Sequence, residues 1–187
     1  MKPTEVLKEE HEVIKIILDV LEKIVDNIVS KGQVNVNHLE KIVDFIKTFA
    51  DKCHHGKEED LLFPAMEEFG IPKDEGPIGV MLEEHDIGRN YVKKLAEAIN
   101  EYKNNKNSLK DIVENASGYI NLLRQHIDKE NDILYMMADM HIPDKKQKIL
   151  LKEFEKVEEK MGKGVHEKYH HLAEELRDEY LKKNKPI

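Results

Sequence analysis

Four long segments of this chain repeat apolar residues every three or four positions, and short stretches rich in glycine, proline and asparagine separate them. That period is helical. The first segment runs from about Thr4, the expected N-cap, to about Ser30, with Leu7, Ile14, Ile17, Leu21, Ile24 and Ile28 on one stripe. Lys31-Gly32-Gln33 ends it. The second runs from near Asn37 to Gly70 through Leu39, Ile42, Ile46, Phe49, Leu62 and Ala65, and Pro64 is expected to kink or end its last turns. Pro77 opens the third, which carries Ile78, Met81, Val92, Leu95, Ile99 and Tyr102 before it dissolves in 104–107. The fourth runs from Ser108, a capping residue with Asp111 three positions on, to about Met140. Four helices joined by short loops predict an all-α, antiparallel up-down-up-down four-helix bundle over residues 1–142. Two shorter amphipathic segments, 144–161 and 165–183, split by Gly162-Lys-Gly164, predict a C-terminal helical hairpin extension over 143–187.

Composition excludes several classes of function. Lys and Arg number 30 against 38 Asp and Glu, a net charge of −8, and no basic stripe with interleaved aromatics is present, so nucleic acid is not the expected partner. No run approaches the roughly 18 apolar residues of a membrane span, and MKPTEVLKEEHEV has no signal-peptide apolar region. One cysteine cannot form an internal disulfide. The expected location is the cytoplasm.

What interrupts the apolar stripes is more informative. His11 lies four after Leu7 and three before Ile14; His54 lies four after Ala50, with Glu58 four further on; His85 lies four after Met81; His126 lies three after Leu123, with Glu130 four further on. All six therefore face the core. Buried carboxylates need a cation, and these stripes carry no core-facing Lys or Arg. Folding the first helix onto the second about residue 34 sets His11 opposite 57, and folding the third onto the fourth about 106 sets His85 opposite 127. The six converge on one layer. Four imidazoles and two carboxylates in a dry core are expected to form a dinuclear metal site, with each Glu able to bridge both ions. His and carboxylate without Cys disfavour iron–sulfur clusters and structural zinc, and favour two iron ions, with an oxide or hydroxide bridge compatible and manganese or zinc as lesser candidates.

The segments Glu9-Glu10-His11, His54-His55-Gly56-Lys57-Glu58-Glu59-Asp60-Leu61-Leu62-Phe63-Pro64, Gly76-Pro77 leading to Glu84-His85-Asp86, and His126-Ile127-Asp128-Lys129-Glu130 resemble the hemerythrin-like, or HHE cation-binding, domain over roughly residues 4–140. The resemblance implies a non-haem di-iron centre with His11, His54, His85 and His126 as terminal ligands and Glu58 and Glu130 bridging. It also implies a small diatomic or peroxide ligand and an electron donor or protein partner that the sequence does not name. Oxygen-carrier hemerythrins have a further His one turn away on the third helix, where this chain has Met81 and Arg89. They also bridge with an Asp five after the fourth-helix His, where this chain has Glu130 at four. Four His and two Glu more closely resemble bacterial di-iron proteins associated with repair of iron centres, which often carry a Cys pair that this chain lacks. The expected function is a protein that binds or reacts with O₂, NO or peroxide as a sensor, scavenger or stress-response factor. Reversible oxygen or iron storage is the alternative.

The remaining polar residues have plainer expected roles. His55 and Glu59 repeat the i,i+4 spacing but sit off the stripe, beside Thr48, Asp51 and Lys52, and are assigned to supporting or solvent positions. Glu84 and Asp86 are read the same way, and Cys53 as a small core residue. Tyr91, Tyr119 and Met81 read as core filling, Tyr135-Met136-Met137 as packing the end of the bundle, and His38 and His141 as helix-end residues. His166, His170 and His171 read as an exposed face rather than a minor zinc site.

Overall fold

The computed structural model describes residues 1–105 and 107–182; Lys106, in the third loop, and 183–187, including the expected end of the last segment at Lys183, lie outside the described residues. Six helices account for the elements, with no strand among the described residues: α1 (Pro3–Lys31), α2 (36–68), α3 (Pro77–Lys103), α4 (109–141), α5 (Asp144–Met161) and α6 (165–182). The ends follow local chemistry, though not always as expected. Pro3 opens α1, and the Thr4 hydroxyl donates across the bundle to Asp139 at 2.7 Å instead of capping. Gly32, at φ +62°, ends α1 by donating its N–H to the Ile28 carbonyl. Asn35 caps α2 by accepting from the His38 amide. Ser108 makes no cap; its hydroxyl donates to the Ala98 carbonyl at 2.8 Å and ties the start of α4 to α3.

Around the bundle, α1 packs on α2 and α4, and α3 packs on the same two. Partners across α1 and α4 run in opposite numerical order: Thr4 with Asp139, His11 with Asn131, Glu22 with Arg124. Across α2 and α3 the same holds for Glu40 with Lys103, Asp51 with Arg89 and Glu59 with His85. The apolar interior is split in two. One cluster gathers Ile14, Ile17, Leu21, Ile42, Phe49, Leu95, Ile120 and their neighbours; the other gathers Leu7, Phe63, Met66, Ile78, Met81 and Leu134. The ionisable residues that interrupt the stripes lie along the helices between these clusters. The extension is built into both, with Tyr169, Ala173 and Leu176 joining the first and Leu150 and Phe154 the second.

Four stretches among the described residues depart from regular α-helix, the last being Asp178–Lys182 at the end of α6. Over Ile46–His55 and Glu58–Leu62, and again over Glu130–Leu134, the winding widens so that the backbone bonds five residues back: Gly56 N–H to Asp51, Phe63 N–H to Glu58, Tyr135 N–H to Glu130. The second widening ends at Leu62, two residues before Pro64, whose ring would collide with the carbonyl four residues back in a regular turn. The helix therefore continues to Glu68 where the sequence suggests a kink or an end.

Candidate metal centre

The wide turns decide which side chains enter the interior. A turn with more residues rotates less per residue, so neighbours that an α-helix would send to different faces stay on one. Cys53, His54 and His55 are consecutive and all buried, at 3%, 1% and 6% exposure. All six residues read from the stripes are buried at 2% or less: His11, His54, Glu58, His85, His126 and Glu130.

Their inward atoms face one another. Glu130 offers Oε2 to His11 Nε2 at 3.2 Å and Oε1 to His126 Nε2 at 3.1 Å and His85 Nε2 at 3.9 Å. The Glu58 Oε2 atom faces His54 Nε2 at 3.7 Å and His85 Nε2 at 3.5 Å. Glu58 thus stands between one imidazole of each side, and Glu130 between one of the α1–α2 side and both of the α3–α4 side. Donor atoms of His11, His54 and Glu130 lie within 4.8 Å of one another, and so do those of His55, Glu58, His85 and His126.

The outward nitrogens are all held. His11 Nδ1 meets Asn131 Oδ1 at 2.9 Å, His54 Nδ1 meets Glu10 Oε2 at 2.9 Å, His85 Nδ1 meets Glu59 Oε1 at 2.6 Å and His126 Nδ1 meets Glu84 Oε2 at 2.9 Å. An acceptor at Nδ1 holds a proton there and makes Nε2 the nitrogen that can turn a lone pair to a metal. His85 Nε2 and His126 Nε2 lie 3.0 Å apart, a contact that shares one proton until a cation displaces it. Each of the three outer carboxylates is gripped by a cation: Lys57 on Glu10, Arg89 on Glu59 and Lys129 on Glu84. Burial alone would raise these three carboxyls, yet the imidazoles and cations beside them hold all three below the usual range.

Inside the layer the charges conflict. Burial, together with Glu130, pushes the Glu58 carboxyl well above the carboxylate range, while Glu130 itself, against burial, is held well below it by His126 and His11. Burial drives His54 down to about 4; His126 rises to about 9 because Glu130 and Glu84 outweigh burial. His54 Nε2, Glu58 Oε2 and both Glu130 oxygens are buried without a hydrogen-bond partner among the described residues. Four orphaned acceptors converging in a buried layer fit a cation, because a buried acceptor without a partner bears its desolvation cost. Ligand atoms bonded at about 2.1 Å and 90–110° to one ion lie about 3.0–3.4 Å apart. Glu130 with His11 and with His126 has that spacing, and the contacts of Glu58 at 3.5 and 3.7 Å are slightly wider.

Several residues stand elsewhere than the sequence suggests. His55 is not a solvent residue; its ring stacks on His85 with centroids 3.8 Å apart, because the wide turn carries it inward. Lys57 is a core-facing lysine where none was expected; fully buried, it donates to Glu10 at 2.5 Å and Glu158 at 2.7 Å. Tyr135 packs in the apolar cluster at the end of the bundle, with Met137 against it, and also reaches the polar layer: its hydroxyl donates to Glu58 Oε1 at 2.6 Å and its ring stacks on His11 at 5.5 Å. Met136 of the same run is exposed. Glu10 carried a usable signal, lying three after Leu7 and four before Ile14. Glu59 and Glu84 hold the imidazoles of His85 and His126, the supporting one of the two positions read for them, and Asp86 is an exposed partner of Arg89. His166 is half-buried against Glu10 at 3.4 Å, whereas His171 is exposed. Cys53 is a buried thiol pushed up to about 12 by burial. His38 bonds to the Tyr180 hydroxyl and His141 to its own helix.

A helical bundle whose interior carries this donor set defines a cation-binding protein of the bundle-core type. The family model described as the hemerythrin HHE cation binding domain matches residues 2–138, and the chain belongs to that family. No curated protein and no solved structure gives a significant match. The matched region ends before α5 and α6, yet Glu158 of α5 and His166 of α6 both reach Glu10 or its lysine. No helix among the described residues is long and apolar enough to cross a membrane.

Proposed function

We propose that this chain is a cytoplasmic non-haem di-iron protein that binds or reacts with O₂, NO or peroxide, in sensing, scavenging or a stress response. The bundle of residues 1–142 would wind up-down-up-down, with 143–187 as its extension. His11 and His54 would hold one ion, His85 and His126 the other, and Glu58 and Glu130 would bridge them. One observation carries this reading: four imidazoles pinned at Nδ1 aim Nε2 at two shared carboxylates, of which Glu58 Oε2 and both Glu130 oxygens have no hydrogen-bond partner among the described residues. Two irons there would supply two electrons and open positions for a small oxidant.

The chain's own residues do the rest. Apolar clusters above and below the layer exclude bulk water. Tyr135 holds a proton 2.6 Å from Glu58 Oε1, and burial with the nearby carboxylates keeps its hydroxyl well above the ordinary phenol range, so it acts as a donor and not as an anion. His55 braces His85 by stacking.

The test is the near-ultraviolet and visible spectrum of the anaerobic ferrous protein on addition of O₂, NO or peroxide. Consumption of peroxide or NO, or immediate oxidation by O₂, supports the reactive reading. A reversible oxygen adduct moves the protein to the storage alternative, and a spectrum unchanged by all three leaves only a structural ion.

A further inference from the structure

A cavity of about 680 Å³ opens between α2, α3 and α4 and ends at His55 and His85. Oxygen, nitric oxide or peroxide needs space comparable to the ~30 Å³ share of one water. Cavities of roughly 300–1,000 Å³ are those that hold organic ligands. Size alone therefore argues for a second kind of occupant.

Three features of the wall say which kind. Ile46, Val92, Ala96, Leu122 and Leu123 make it largely apolar. Within it stands Tyr119, 3% exposed, whose hydroxyl is buried with no partner among the described residues. A buried donor without an acceptor is costly and points to an oxygen or nitrogen that the ligand brings. Gly88 is the third feature. Glycine is the poorest residue after proline for a helix interior. A Cβ at 88 would meet only ordinary contacts, Tyr119 Cε2 at 3.7 Å and Leu122 Cδ2 at 3.8 Å. Gly118 differs, since a Cβ there would lie 2.4 Å from the Tyr91 ring and the close approach explains the glycine. At 88 the missing side chain leaves the cavity wide.

The charge around the cavity favours a neutral molecule. Lys47, Lys52, Lys93 and Arg89 face Asp51, Glu84 and Glu97. Arg89, the cation nearest the inner end, has its donors taken by Asp51 at 2.8 Å, Asp86 at 2.9 Å and Glu59 at 2.6 Å, so it has little left for an anion.

We infer that this cavity binds a small neutral organic molecule, an apolar body with one carbonyl or ether oxygen that accepts from the Tyr119 hydroxyl. Its inner end lies against His55 and His85. The inference deepens the di-iron reading by giving that site an organic neighbour, but binding as such does not require the metals.

The test is isothermal titration of the full chain, as isolated, with 2-heptanone, and with heptanoate as the charged comparator, alongside metal analysis of the same sample. The expected result is saturable ketone binding at one site, weaker binding of the carboxylate, a loss of at least about ten-fold in Gly88→Leu and about five-fold in Tyr119→Phe. Gly88→Leu should melt no lower than the parent, since leucine suits a helix better; if it fails to fold, Ala96→Phe blocks the outer part of the same cavity. No ketone binding, tighter binding of the carboxylate, or equal ketone affinity in the blocked and Tyr119→Phe variants overturns the inference. Two metals without ketone binding defeat this inference alone, and ketone binding without metals defeats the di-iron reading alone.

Discussion

The two halves of the polar layer are built from the same residue types but sit in different surroundings. On the His11–His54 side the groups are sealed: Tyr135 stacks on His11, and Glu10 holds His54 while it is itself held by a fully buried Lys57 and by His166, with Glu158 of the extension on Lys57. On the His85–His126 side the supporting carboxylates Glu59 and Glu84 are partly exposed, their cations Arg89 and Lys129 reach solvent, and the cavity arrives at His85. Imidazole–carboxylate–cation chains, one on the sealed side where Asn131 holds the other histidine and two on the open side, thus do different work. The sealed side fixes geometry where a lost charge cannot be replaced by water, and the open one admits a ligand.

Several experiments can break or sharpen that contrast. The largest effect is expected from chelation of the loaded protein, which leaves both Glu58 and Glu130 in the core without a cation; the thermal midpoint should fall by about 10 °C or more. An unchanged midpoint would mean that the layer does not rely on an ion. Next, Lys57→Met strands the Glu10 carboxylate in the sealed half and should cost about 3–5 kcal/mol in urea unfolding. Arg89→Met, at a 37% exposed cation of the open half, should cost about 1 kcal/mol. Similar losses from the two would erase the distinction. The tyrosines give a smaller and opposed pair. Tyr135→Phe removes a bonded buried hydroxyl and should destabilise by about 1 kcal/mol, whereas Tyr119→Phe removes an unpartnered one and should be neutral or stabilising by a similar amount.

The smallest effect is a pH dependence at the extension. His166 is raised, chiefly by its bond to Glu10 against partial burial, while Glu158 adds to the rise and Lys57 opposes it. A raised folded value means that its contribution is complete below the unfolded value of about 6.5 and is lost as pH climbs through the folded one. His170, on the same helix, is lowered by burial and by His166 and works in the opposite sense. His166→Gln should therefore flatten the fall in stability above about pH 6.5, read by urea unfolding across that range. A slope that survives the substitution would assign it to other groups.

The four long helices and the six inward residues were legible because a regular 3.6 period makes any interruption of a stripe stand out. Where the winding is not regular, that reading fails. His55 lies in a wide turn, so counting by threes and fours sends it to the wrong face, and Tyr135 read as end packing, without its hydroxyl's reach to Glu58 across the layer. Lys57 escaped because a lysine reads as solvent unless its partners are known, and Glu158 lies 101 residues away. Tyr119 read correctly as core, but that its hydroxyl lacks an acceptor is a fact of packing across helices. Glu10 is the opposite case, since its place on the stripe was open to inspection beside a more conspicuous histidine.

The most direct test of the central claim is a metal count. After anaerobic loading with ferrous iron and removal of the excess, the chain should retain two irons, and Glu130→Ala, which removes the carboxylate facing both histidine pairs, should retain one or none. One iron or none in the parent, or two in Glu130→Ala, would contradict a shared dinuclear layer.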